Sequence, residues 1–382
     1  MGNEIYLDNA ATTKVDDKVI ETMIPYYNKI YGNASSLHLK GEEARRNVEE
    51  SRETIAKAIG ASYREIIFTS SGTEANNFAI KGLFFKNYPE KNHIITTKIE
   101  HDCVVNACKW LETQGSKVTY LDVDEKGFVD AKDIENAINE KTFLVTIIHG
   151  NNEIGTIQNL KEIGEICKKK EVLFHTDACQ SFTKVPINVK KDNVDLMTLN
   201  AHKIHGPKGI SALYIRKGIE ITPLLHGGGQ EFKLRSSTEN VPSIIGFAKA
   251  VKISNWKDVK NMTKLRDYFI SQLLKIPNTS INGAEREKRL CNNINISFNN
   301  IEGEAIGSYL NVKGIFTSTG SACSSKALEP SHVLLSIGLN NLQANSSMRI
   351  SLSKYTTKEE IDYAIGEIKK TIEKLRKISP IK

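Results

Sequence analysis

The segment Leu199-Asn200-Ala201-His202-Lys203-Ile204-His205-Gly206-Pro207-Lys208-Gly209 links an apolar run at 194–199 to a second apolar run at 210–215. Each run predicts a strand. The link is short and contains a Gly-Pro-Lys-Gly turn, so the second strand is predicted to lie antiparallel beside the first. Lys203 sits just past a strand end and is held by that turn. This is where a Schiff-base lysine would be placed, because its amine must be fixed and partly desolvated for the neutral, nucleophilic form to be available. Taken alone, the same words fit one more surface lysine in a lysine-rich chain.

The flanking sequence supplies the context. Upstream, predicted strands at 65–69, 93–97, 117–121, 142–148 and 172–175 alternate with helical patterns near 41–59, 74–83, 104–111, 132–138 and 160–170. Strands alternating with helices predict an α/β fold with a mostly parallel sheet covered on both faces. In such sheets ligands sit beyond the carboxyl ends of the strands. The polar motifs that contain Gly72-Thr73, His101, Asn152, Asp177 with Gln180, and Lys203 all follow predicted strand ends. Beyond a glycine-rich loop at 226–230, a helical stretch from about 241 to 274 is predicted to bridge to a smaller α/β unit. That unit is expected to hold strands at 291–298 and 347–352, a helix at 303–310 and a closing amphipathic helix from 357 to about 377.

Composition narrows the class. The chain has 382 residues, which suggests two domains, and its 40% hydrophobic and 25% charged content is ordinary for a globular protein. The net charge of +7 comes from 52 basic and 45 acidic residues spread along the chain. The runs Lys168-Lys169-Lys170 and Lys369-Lys370 fit solvated helix faces, so direct nucleic-acid binding is not expected. The six cysteines, Cys103, Cys108, Cys167, Cys179, Cys291 and Cys323, form no CxxC pair and fit reduced thiols of a cytoplasmic protein. All but Cys323 fall in helix or strand patterns and are expected to be inert packing residues, with Cys179 pointing away from Asp177 and Gln180. No secretory leader is evident, and no apolar run approaches the ~20 residues of a membrane span. No metal-ligand pattern stands out.

Four features at the common sheet edge suit one cofactor. A pyridoxal 5′-phosphate site needs a Schiff-base lysine, an anion cradle, a carboxylate for the ring nitrogen and a ring stacked on the cofactor. Lys203 can be the first. Ser71-Gly72-Thr73 opens a helix after a strand, so its free backbone N–H groups and dipole, with His202, can be the second. Asp177 can be the third, because pairing with a ring N–H⁺ would keep both groups charged. His101 can stack and move protons. Singly, each has a plain alternative: a helix N-cap at Ser71 or Thr73, a satisfied turn Asp, a helix-start His.

These residues resemble a known family. Asp8-Asn9-Ala10-Ala11-Thr12-Thr13, Ser71-Gly72-Thr73-Glu74, Glu100-His101, Asn151-Asn152-Glu153-Ile154-Gly155, His175-Thr176-Asp177-Ala178-Cys179-Gln180, Ala201-His202-Lys203 and Gly320-Ser321-Ala322-Cys323 are similar, in order, to the motifs of the NifS/IscS-type cysteine desulfurases of the class V aminotransferase group. The resemblance implies the fold type I architecture of pyridoxal-phosphate-dependent transferases. It divides the chain into a large cofactor-binding domain at 15–255 and a small domain formed by 1–14 and 256–382, the latter carrying a catalytic cysteine loop at about 317–330. It implies that Lys203 carries the cofactor and that Gly72, Thr73, Asn200 and His202 face its phosphate. Asp177 would bond the ring nitrogen, Gln180 the ring hydroxyl, and Asn152 would lie near that hydroxyl and the substrate. Arg349, with help from Asn33, would take the substrate carboxylate. Thr238 would reach the phosphate of a partner subunit, which implies a homodimer. Cys323 would be the nucleophile that accepts sulfur from L-cysteine as a persulfide. Its glycine- and serine-rich setting fits a flexible loop that then delivers sulfur to an iron–sulfur scaffold or tRNA-thiolation protein.

The chain also departs from the family pattern. Asn200 stands where a phosphate-binding serine is usual, Ala34 for a proline, Phe232-Lys233 for Arg-Gly, Ser237 for a glycine, and Ser353-Lys354 for Gly-Arg. Ser237 matters if its turn needs a positive φ. None of these changes removes a reacting group. Two other readings compete: a selenocysteine lyase or related β-lyase on the same cofactor, and a non-catalytic scaffold that kept the fold. Retention of Lys203, Asp177, His101 and Cys323 favours the desulfurase.

Overall fold

The structure, a computed structural model, describes residues 4–319 and 330–378. Its centre is a seven-stranded sheet in the order Ile66–Thr69, Ser211–Ile215, Leu196–Asn200, Leu173–Asp177, Thr142–Thr146, His93–Thr97 and Lys117–Leu121. The last five run parallel to one another. Ser211–Ile215 is antiparallel to both neighbours, as the short link at 200–210 requires. Side chains alternate across the sheet. Ile66, Phe68, Ile95, Val145, Met197, Ala212 and Tyr214 enter one core cluster. Their chain neighbours Ile67, Ile94, Leu144, Leu196, Leu213 and Ile215 enter another on the opposite face. That period of two, with both faces apolar, explains why these strands read as unbroken hydrophobic runs. The edge strand Lys117–Leu121 alone shows an exposed first residue and partly exposed middle residues.

A separate core forms where the chain ends meet. The N-terminal strand Ile5–Tyr6 pairs in parallel with Ile315–Phe316. Asn293–Phe298 sits between Ser347–Ser351 and Thr279–Ile281 in an antiparallel sheet. Ile5 and Leu7 pack there with Phe269, Ile294, Ile350 and the buried stripe of the helix Lys358–Ile378. A parallel bridge from Asp8 to Ser351 carries the N-terminal segment onward into the space between the two cores.

The helix expected from about 241 to 274 is two helices, Val241–Ile253 and Trp256–Leu273. Ser254 is extended, with φ −66° and ψ 137°, and the Asn255 side chain accepts a hydrogen bond from the Asp258 N–H. Asn at an N-cap satisfies a donor that a continuous helix would not leave free, so a new helix starts there. The short helices His332–Ser336 and Asn341–Asn345 and the strands Thr279–Ile281 and Ile315–Phe316 had no sequence expectation behind them.

Candidate active site

The cavity lies at the carboxyl ends of the parallel strands, about 210 Å³ in volume, room for a small ring and not for a polymer. Ala10, Ala11, Ser71, Gly72, Thr73, Asn76, His101, Cys103, Asn152, Asp177, Cys179, Gln180, Asn200, His202, Lys203 and Arg349 line it. Ten residues expected from the sequence are thus brought together: Gly72, Thr73, His101, Asn152, Asp177, Gln180, Asn200, His202, Lys203 and Arg349. Thr238 and Asn33 are not among the lining residues, and both are exposed. Cys323 lies outside the described residues, as does most of the segment expected to form its loop.

Each side chain is placed by its element. Asp177 and Asn200 are the last residues of adjacent strands. Asp177 is held from two sides: Oδ2 accepts from Asn76 Nδ2 at 2.7 Å, and Oδ1 accepts from the Cys179 N–H at 2.9 Å. Three residues beyond Asn200, Lys203 emerges from the turn. Its backbone N–H donates to Asn200 Oδ1 at 3.3 Å. Its Nζ donates to the Ala11 carbonyl at 2.9 Å and also to the Ala10 carbonyl. Burial, with Arg349 next in effect, pulls the Lys203 ammonium down from 10.5 to about 8. The neutral, nucleophilic form is therefore far more populated near physiological pH than for an ordinary lysine.

The helix Gly72–Asn87 points its N-terminus into the cavity. Ser71 caps it, accepting from the Glu74 N–H at 3.1 Å, while Arg235 pairs with the Glu74 carboxylate at 2.7 Å. Gly72 is needed for close approach. A Cβ there would stand 2.8 Å from Cys179 Sγ and 3.9 Å from the Asn200 amide nitrogen. Asn200 thus supports the lysine's backbone with its oxygen, while its amide nitrogen lies beside the turn at Gly72. The His202 imidazole is buried beside Lys203 and Lys208, which lowers its pKa to about 3, so it is a neutral donor–acceptor there. His101 caps the helix Asp102–Glu112, accepting from the Cys103 N–H at 3.1 Å.

Arg349 enters from the strand Ser347–Ser351 and is 2% exposed. Its Nη1 donates to the Asn152 carbonyl at 3.2 Å and its Nη2 to Asp8 Oδ1 at 3.0 Å. Its Nε and Asn152 Oδ1 are buried with no partner among the described residues. Gln180 Nε2 donates to the Ala10 carbonyl at 2.8 Å.

Two expectations are corrected. Cys108, Cys167 and Cys291 are buried, and burial raises their thiols to about 12, 12 and 11, in keeping with packing roles. Cys103 and Cys179 instead line the cavity. Cys103 Sγ lies 3.1 Å from His101 Nδ1 and 3.2 Å from Asn76 Nδ2, and the Cys179 thiol is raised well above the usual thiol range by burial and by the neighbouring Asp177. Helical spacing placed Cys103 on its helix but did not reveal that the helix start faces the cavity. Asn76 and Glu100 carried no assigned role in the sequence. The first is one turn beyond the cradle, and its only signal is a polar residue on a helix face otherwise occupied by Ala75, Phe78 and Ala79. Burial, with Asp177 adding to it, raises the Glu100 carboxyl to about 8, and its Oε1 accepts from Thr97 Oγ1 at 2.6 Å and the Ile148 N–H at 3.0 Å.

A buried amine of lowered pKa, a carboxylate with fixed orientation, a helix N-terminus and a buried guanidinium define a pyridoxal-phosphate enzyme that handles an amino acid. The chain belongs to the aminotransferase class-V family, whose profile matches residues 5–364. Within that family its relatives are cysteine desulfurases. The cysteine desulfurase IscS of Dictyoglomus turgidum is 50% identical over 386 aligned residues, covering 100% of this chain and 98% of that protein. The IscS of Methanosarcina thermophila is 48% identical over 99% of this chain and 94% of its own length. Among solved structures, a NifS-like protein superimposes with a TM-score of 0.91 at 41% identity, covering 98% of this chain and 100% of that one. SspA, solved in complex with cysteine, gives a TM-score of 0.84 at 38% identity over 93% of this chain and 100% of its own.

Pyridoxal phosphate is the cofactor of this family, and the residues present fit it. The cavity combines an amine to bind an aldehyde, backbone donors for a phosphate and a carboxylate for a ring nitrogen. The Asn152 Oδ1 is a buried acceptor with no donor among the described residues, as expected at a site completed by a ligand.

Proposed function

We propose that this chain is a pyridoxal-phosphate-dependent cysteine desulfurase. It converts L-cysteine and the Cys323 thiol into L-alanine and a Cys323 persulfide. The observation that carries this reading is the pairing, in one cavity, of a buried Lys203 amine with a buried Arg349 guanidinium. That pair can hold both ends of an amino acid.

When bound, the cofactor supplies an electron sink that acidifies the substrate Cα–H and accepts charge as the C–S bond breaks. The chain's own residues do the rest. Arg349 holds the substrate carboxylate through its fork. Lys203 Nζ takes a proton from Cα and returns it elsewhere. Asp177, kept oriented by Asn76 and the Cys179 N–H, holds a negative charge against the ring nitrogen. Gly72, Thr73, Asn200 and His202 bind the phosphate, and Gln180 and Asn152 face the ring hydroxyl. His101 covers the ring and moves a proton at the substrate. Cys323 attacks the substrate sulfur, its S–S bond forming as the Cβ–S bond breaks.

The same reading assigns residues 15–255 to a cofactor-binding domain, and 1–14 with 256–382 to a small domain; the separate cores around the central sheet and around Phe269 and Ile350 support it. It makes the protein a homodimer, with the exposed Thr238 serving the partner's phosphate and Asn33 assisting at the substrate. The acceptor of the persulfide is a protein, an iron–sulfur scaffold or a tRNA-thiolation protein, in the cytoplasm. Among the described residues no helix is long and apolar enough to cross a membrane.

Absorbance and product analysis test the proposal together. The loaded protein is expected to be yellow and to release L-alanine from L-cysteine, with Lys203→Ala losing both. A colourless protein that takes up no pyridoxal phosphate would refute it.

A further inference from the structure

Arg349 has an anionic partner on the N-terminal segment. Its Nη2 donates to Asp8 Oδ1 at 3.0 Å, while its buried Nε has no partner among the described residues. Nε and Nη2 form the side edge of the guanidinium, the edge that grips a carboxylate with two parallel bonds. Asp8 therefore engages one corner of that edge with one oxygen and leaves the other corner open. The backbone of Asp8 is pinned: it bridges Ser351, and the Ser351 N–H donates to the Leu7 carbonyl at 2.7 Å while the Ala10 N–H donates to Ser351 Oγ at 2.7 Å. Its side chain is not pinned in the same way. It keeps 19% of its surface in solvent, against 2% for Arg349. The same loop also supplies the Ala10 and Ala11 carbonyls that accept from Lys203 Nζ.

We propose that Asp8 is a placeholder for the substrate's α-carboxylate, displaced from Arg349 when an amino acid enters. The physical case is a balance of desolvation. A buried guanidinium with no anion would be costly, so Asp8 compensates its charge and holds it in place. A bidentate ligand then satisfies both Nε and Nη2, while Asp8, already partly in water, turns outward at small cost. Binding becomes an exchange of one carboxylate for another, which disfavours thiols and amines that bring no carboxylate. Asp8 is thus a positioning residue acting through Arg349. The proposal rests on the role given to Arg349 above.

The test uses the holoenzyme and propionate, a carboxylate with neither amine nor thiol. Titration calorimetry is expected to show Asp8→Asn binding propionate roughly three- to fivefold more tightly than the wild type, the scale of a partly exposed ion pair. The KM for L-cysteine should fall in parallel without a rise in kcat, and cysteamine, which lacks the carboxylate, should bind both proteins alike. Asp8→Glu should restore wild-type affinity. Asp8→Ser removes the same charge and serves if the first variant misfolds. Unchanged or weaker propionate binding in the charge-removed variants would overturn the exchange, because loss of a purely structural contact cannot tighten a ligand. Arg349→Gln separates the two levels: wild-type KM and propionate affinity in that variant would overturn the substrate role of Arg349 itself.

Discussion

Two buried groups at this site have pKa values moved far enough to set measurable pH dependences. The Lys203 amine titrates near 8 instead of 10.5, chiefly through burial. Covalent uptake of pyridoxal phosphate by the apoprotein should therefore accelerate as pH rises from 6 through 8 and level off above about 9; stopped-flow absorbance would show it. A rise continuing unchanged past pH 10 would mean the amine is unperturbed. Glu100 moves the other way, from 4.5 to about 8 through burial. A carboxyl raised on folding stabilises the protein below its unfolded pKa, and that contribution is lost as pH rises through the folded value. Glu100→Gln, which keeps an acceptor for Thr97 and Ile148, removes the penalty. Its stability gain over wild type should be small at pH 5 and grow to the order of a few kcal/mol by pH 8. Urea midpoints at the two pH values measure this, and a gain that is equal at both would contradict it. A third residue, Asn76, should act through Asp177. Asn76→Leu is expected to weaken cofactor affinity roughly tenfold, the scale of a lost hydrogen bond to a charged group, as read by fluorescence titration.

At the scale of elements, the loop after the glycines at 227–229 holds the clearest strain. Glu231, Phe232 and Lys233 have φ of 48°, 58° and 67°, a left-handed turn built without glycine. Ser237, the change that sequence reasoning flagged for a positive φ, is not among the described residues with one. The strain therefore falls at Lys233, the position where a glycine is usual. The turn is held by a buried pair: Glu231 accepts from Arg52 Nη1 at 2.6 Å and from the Phe68 N–H at 2.8 Å, and Arg52 lies over the Phe68 and Phe232 rings. Left-handed backbone costs an L-residue about 1–2 kcal/mol, so Lys233→Gly should raise the melting temperature by a few degrees, while Glu231→Gln should lower it. Calorimetry decides between this and a loop that tolerates either change. A further departure, Lys354, is absorbed by a pair with Asp16, whose carboxyl is held at about 2 because hydrogen bonds from Lys354 and Tyr355 outweigh burial.

Across the whole molecule, what was legible in the sequence is what local rules determine. Strands at 93–97 and 117–121 match the structure residue for residue, because turn signals and apolar runs bounded them on both sides. The sheet edge that gathers Thr73, His101, Asn152, Asp177 and Lys203 followed from strand–helix alternation alone. What was not legible depends on contacts between distant segments. Nothing local placed Asp8 against Arg349, 341 residues away, or Asn76 against Asp177, 101 residues away. Nor did helical spacing show that Cys103 and Cys179 line the cavity and not a core, since a cysteine packs equally well in either place. The break at Ser254 and Asn255 was hidden because the apolar period continues across it while a side-chain cap restarts the helix.

Mass spectrometry of Cys323 after one turnover is the most direct measurement. The loaded protein, mixed with one equivalent of L-cysteine without reductant, should form one equivalent of L-alanine and gain one sulfur atom on the peptide that contains Cys323. Cys323→Ser should form neither while keeping the cofactor. Alanine formed at the wild-type rate by Cys323→Ser, or the extra sulfur found on Cys103 or Cys179 instead, would contradict the assignment.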